Sequence, residues 1–171
     1  IVILDYPGEV FSKAVVKDID TRETKELIDH IDRAAAVLII VDPGVAMHGG
    51  TLERVDDDYG ISKAIIRVRE SPDGGDIPIA IVMTKCDIHG THIVEIMDKE
   101  KINNQKGQER LRQFLKKYFN SWFYGLGSRK TYRIFPTAAI RTRKDARGSQ
   151  IPDLSKPAHR ITEPIIWCFD I

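Results

Sequence analysis

Cysteine is scarce in this chain, with only Cys86 and Cys168 among 171 residues. Two lone thiols build no disulfide framework and suit a reducing compartment, from which a cytoplasmic location is expected. The five histidines, His30, His48, His89, His92 and His159, show no convincing ligand spacing, so solvated histidine is preferred over zinc. A dominant charge is missing too. Lys and Arg number 26 against 25 Asp and Glu, a formal net charge of +1. Nucleic-acid binding ordinarily needs a clustered basic face, so no nucleic-acid partner is expected. Its one basic stretch, Arg141 to Arg147, reads as a solvated connection. Long apolar runs are also absent. The run Ala34 to Val41 is far short of the roughly 20 residues a membrane helix requires, so no transmembrane segment is expected. Without an internal repeat, low-complexity tract or Pro/Gly/Ser linker, residues 1–171 read as one domain.

What is present alternates. Strand-like apolar runs end at Leu4, Val41, Met83 and Pro136. Helical patterns lie between them at 24–35, 59–70 and 108–123, the last with Leu111, Phe114, Leu115, Tyr118 and Phe119 on one stripe that reads as core. Such alternation argues for an α/β fold with a parallel sheet covered by helices. Thr162-Glu163-Pro164 looks like a helix start, followed by Ile165, Ile166, Trp167 and Phe169 as an apolar face. Two stretches read as insertions: Pro43 through Asp58, a turn-rich and acidic connection suited to a protein partner, and His89 through Gly107.

The chemistry-bearing feature is Thr84-Lys85-Cys86-Asp87, directly after the apolar run Ile77 to Met83. Guanine presents two adjacent donors, its ring N1–H and its exocyclic amine, and one carboxylate can accept from both. Asp87 is the candidate acceptor. Adenine offers an acceptor at N1, which would leave that carboxylate facing a lone pair, so Asp87 selects guanine. Lys85 can lay its methylene stem along the purine face, Thr84 can tie neighbouring loops, and Cys86 packs. Alone, such a tetrapeptide also reads as an ordinary capped turn after a strand.

Two further strand ends change that reading. Upstream stands Asp5-Tyr-Pro-Gly8 after Ile1 to Leu4; downstream stands Thr137-Ala138-Ala139 after Tyr132 to Pro136. D-x-x-G, [NT]-K-x-D and [ST]-A in this order resemble P-loop GTPases of the Ras and translation-factor type along most of the chain. The resemblance implies a three-layer α/β fold, a parallel sheet flanked by helices. It implies that Asp5 holds Mg2+ through a water and that the Gly8 N–H meets the γ-phosphate of GTP. Thr137 and Ala138 would belong to the base pocket, the Ala138 N–H donating to guanine O6. The implied function is a guanine-nucleotide switch that hydrolyses GTP to GDP and phosphate and engages a protein effector or regulator. The alternative is a catalytically silent, GTPase-like protein-interaction module.

Two departures qualify the resemblance. No G-x-x-x-x-G-K-[ST] occurs; the loop Gly125-Leu-Gly-Ser-Arg-Lys130-Thr131 comes nearest but lacks the second glycine. The chain also opens on Ile1 within a strand-like run, so the expectation is a domain incomplete at its N-terminus, with GTPase activity conditional on a phosphate loop upstream. The absent strand would fill the slot between the strand ending at Asp5 and the one ending at Asp42. The second departure is Glu9, which stands where many relatives orient the attacking water with glutamine or histidine. As the candidate catalytic residue, Glu9 could position water, but its charge beside a γ-phosphate would favour slow or partner-assisted hydrolysis. Equally, it could face solvent at a helix start.

Overall fold

A computed structural model describes residues 21–44, 51–71, 76–86, 105–126, 131–139, 142–153, 155, 158 and 160–170, with the backbone alone at 51–58 and 150. The elements in order are α1 (Arg22–Asp32), β1 (Val37–Val41), α2 (Thr51–Glu70), β2 (Ile79–Met83), α3 (Gln105–Tyr118), α4 (Trp122–Gly125), β3 (Tyr132–Pro136), β4 (Thr142–Lys144), β5 (Gln150–Pro152) and α5 (Glu163–Phe169). The expected strands ending at Val41, Met83 and Pro136 form one parallel sheet in the order β1-β2-β3. The strand expected to end at Leu4 lies outside the described residues.

Register and side-chain alternation divide the sheet into two faces. Ile39, Ile81 and Ile134 stand side by side on one face; Ile40, Val82 and Phe135 stand side by side on the other. Successive crossovers that step the same way along a parallel sheet, each right-handed, place their helices on one side. Accordingly Ile65 and Val68 of α2 and Leu111 and Leu115 of α3 share a buried cluster with Ile39, Ile81 and Ile134. Leu27 and Ile31 of α1 join the same cluster. The opposite face holds a smaller cluster, Ala80, Val82 and Phe135 with Cys168 of α5, against which Trp167 packs.

Several local devices hold this arrangement. The α1 N-terminus is closed by a capping box in which Thr21 and Thr24 each accept a backbone N–H from the other. This satisfies donors that a helix start would otherwise leave unpaired. At the far end of α2, Arg69 donates to the carbonyls of Ile77, Leu126 and Thr131, joining the approaches to β2 and β3. Its burial lowers the guanidinium pKa, an effect opposed by the nearby Asp76 charge. Gln108 of α3 binds both backbone groups of Ile134, accepting its N–H and donating to its carbonyl.

Three boundaries differ from the sequence expectation. Helix α2 begins at Thr51, so the second half of the supposed Pro43–Asp58 connection is helical. Its acidic run Asp56-Asp-Asp58 conceals a helix whose apolar periodicity becomes legible only further along. The expected helix over 108–123 is broken into α3 and α4 around Asn120, where Phe119 and Trp122 stack with ring centroids 4.3 Å apart. The supposed solvated connection at Arg141–Arg147 contains β4, paired antiparallel with β5. Its turn is closed by Asp145, whose Oδ1 accepts the N–H groups of Arg147 and Ser149, and by Gly148 at φ +80°. A polar hairpin lacks the apolar alternation by which strands are ordinarily read, but its Asp and Gly are turn formers.

Candidate functional site

In a parallel sheet all strands end on the same edge, and loops that follow them share it. Here that edge carries Asp42 after β1, Thr84-Lys85-Cys86 after β2 and Thr137-Ala138 after β3. Thr84 turns toward β1: its N–H donates to the Val41 carbonyl at 2.8 Å, and its hydroxyl donates to the same oxygen at 3.2 Å. Both bonds tie the start of the loop after β2 to the end of β1. Cys86 turns toward β3, its N–H donating to the Thr137 carbonyl at 3.1 Å. The buried Cys86 thiol donates back to the Met83 carbonyl. Thr137 reaches that carbonyl twice, through its N–H at 2.7 Å and its hydroxyl at 3.0 Å.

The hydroxyl of Thr137 is thus engaged in joining the two loops, and Ala138 behind it is buried. Lys85 is different. Its backbone sits at φ +53°, in the left-handed region, which costs a residue bearing Cβ about 1–2 kcal/mol. Its side chain is exposed and its ammonium donates to Asp42 Oδ2 at 2.8 Å. The other carboxylate oxygen, Asp42 Oδ1, accepts the Gly44 N–H at 2.7 Å. Asp42 therefore links the loop after β1 to the loop after β2.

Of the candidate residues, Thr84, Lys85, Thr137 and Ala138 are brought together at this edge. Asp5, Gly8, Glu9 and Asp87 lie outside the described residues, as do His89 and His92. Among the described residues no group of three or more His, Cys, Asp or Glu could hold a metal ion, and the one residue expected to hold Mg2+, Asp5, is not among them. No described helix is long and apolar enough to cross a membrane. Asp42 is a member of this candidate site that sequence reasoning overlooks. Its signal is nonetheless present: an acid directly after an apolar strand, at the sheet edge that also carries the other two motifs.

A separate open cleft of about 330 Å³, lined by residues including Asp32, Arg33, Asp76 and Pro78, lies beside the starts of β1 and β2. That is the opposite end of the sheet from the convergent loops. No family model matches the chain, and no curated protein or solved structure matches it. The likeness to GTPases rests on the order of the three strand-end motifs.

Proposed function

We propose that the chain carries the base-reading loops of a guanine-nucleotide switch that hydrolyses GTP to GDP and phosphate and acts through a protein effector or regulator in the cytoplasm. The observation that carries this reading is the Cys86 N–H bond to the Thr137 carbonyl. It joins, on adjacent parallel strands, the two loops whose sequences are those expected to read guanine. Asp87 follows Cys86 directly in the chain, so the carboxylate that would pair with N1–H and the exocyclic amine is tethered one residue from that junction. Lys85, exposed and hydrogen-bonded at its tip to a neighbouring acid, has a stem suited to lie on a purine face.

At the phosphate end the reading assigns Gly8 to the γ-phosphate and Glu9 to the attacking water. Mg2+ held through Asp5 would neutralise charge on the phosphates. The 171 residues contain no phosphate-loop sequence, so turnover in this reading needs a cradle supplied from outside them. The joined base loops favour this reading over a silent interaction module that holds no nucleotide; one that holds it permanently would differ from the switch in turnover alone.

The test is base choice by Asp87→Asn in the full-length protein. An amide presents a donor where the carboxylate accepted, so GTP affinity should fall by at least about tenfold while xanthosine triphosphate affinity rises. Titration of both nucleotides against wild type and variant measures this. Unchanged GTP affinity in the variant removes Asp87 from base reading.

A further inference from the structure

The exposed pair between Lys85 and Asp42 is poorly explained as a source of fold stability. Solvent-exposed ion pairs contribute little, because water screens them and two side chains must be held still. Yet several constraints converge on this pair. Asp42 Oδ1 accepts the Gly44 N–H at 2.7 Å, and Asp42 Oδ2 accepts from the Lys85 ammonium at 2.8 Å. The carboxylate is thereby oriented by backbone before it meets the lysine. Lys85 leaves its strand in a left-handed conformation, which redirects its side chain across the sheet edge toward β1. Thr84, the residue before Lys85, donates its N–H and its hydroxyl to the carbonyl of Val41, immediately before Asp42. Together these set the direction of one long, otherwise flexible side chain.

We propose that Asp42 is a positioning residue for the nucleotide site, holding the Lys85 stem extended as a preformed surface for the purine ring. The inference rests on the guanine-nucleotide reading above and adds to it a residue outside the three strand-end motifs. Lysine carries substantial rotamer entropy, and fixing it in advance removes that cost from the binding step. Asp42 touches no base atom in this account; it acts only through Lys85. Any loss on changing it must therefore depend on Lys85 being present.

That dependence is measurable by a double-mutant cycle in the full-length protein, using GDP as the probe and titration calorimetry as the readout. With Lys85 in place, Asp42→Asn should weaken GDP binding about tenfold; in a Lys85→Ala background the same change should cost less than about twofold. Asp42→Glu, which restores the charge, should recover part of the loss. Thermal unfolding of the nucleotide-free proteins should be nearly superimposable, separating positioning from a general loss of structure. The wild-type advantage over Asp42→Asn should shrink at about 1 M salt, since an exposed pair is screened. Equal losses in both backgrounds, or no loss with Lys85 present, would overturn the positioning role while leaving the nucleotide reading intact. Failure of the wild-type protein to bind GDP or GTP would overturn both.

Discussion

The two faces of the central sheet are built from the same kinds of residue and end in different states. On one, Ile39, Ile81 and Ile134 are all buried beneath α1, α2, α3 and α4. On the other, exposure rises steadily across a single row: Phe135 is 2% exposed, Val82 8% and Ile40 67%. The cause is the length and place of α5. Its seven residues span only about 10 Å, and among the described residues its contacts fall on β2 and β3, while Leu38 and Ile40 of β1 are exposed. An isoleucine at a strand position therefore reports a sheet surface, and the neighbouring helices decide whether that surface is core.

The largest effect should come from truncating the covered face. Ile81→Ala, in the middle of the central strand, should destabilise by about 2–5 kcal/mol through lost burial and a residual cavity. Ile40→Ala, in β1 and on the other face, should stay within about 0.5 kcal/mol. Urea denaturation of the two variants measures the difference. Comparable losses would show that Ile40 is covered in solution and that the faces are not distinct.

A smaller effect is expected where α4 meets α2. A Cβ at Gly125 would lie 2.9 Å from Ile65 Cγ2 and 3.2 Å from Ile66 Cγ1. Gly125→Ala should therefore cost about 1–3 kcal/mol as those side chains are displaced. At Gly60, within α2, nothing lies within 4 Å of an added Cβ, so Gly60→Ala should stabilise by about 0.5–1 kcal/mol through helix propensity. Opposite signs at the two glycines would sharpen the contrast between packed and open surroundings. The same sign at both would break it.

The smallest effect is confined to alkaline pH. Burial of this α5 side chain against the sheet pushes the Cys168 thiol up to about 11 from an ordinary value of 9.0. The folded protein keeps this proton through a range in which the unfolded chain releases it. That contribution is complete below pH 9 and is lost as pH rises toward 11. Wild type should lose stability between these values more steeply than Cys168→Ala. Parallel pH profiles would place the thiol in water and make the α5 face looser than its packing indicates.

Much of the covered face is legible in the amino-acid sequence. The helical stripe through Leu111, Phe114, Leu115 and Phe119 and the three described strand ends stand where local patterning puts them, because an apolar run flanked by turn residues and a 3.6-residue period are properties of local chain geometry. Local reading fails where the pattern is polar. The periodic signal enters α2 eight residues late because Thr51 to Asp58 carries acids where an apolar period would show, and β4 escapes it because Thr142-Arg-Lys144 has no apolar side to present.

The candidate site divides in the same way. Sequence alone determined that Thr84-Lys85-Cys86 and Thr137-Ala138 follow strands, since each motif abuts its own apolar run. It also determined the chemistry available there, because a lysine stem or an Asp carboxylate keeps its donors and acceptors in any fold. Only tertiary structure decided that β1, β2 and β3 lie side by side in that order, which brings the Cys86 N–H to the Thr137 carbonyl and the Lys85 ammonium to Asp42. Residues 42 and 85 are separated by a helix and a strand, and no periodic signal spans such a gap. Their meeting depends on parallel pairing in one register, with Val41 beside Met83, and on a left-handed backbone turn at Lys85 that a residue with Cβ adopts only when its surroundings hold it there.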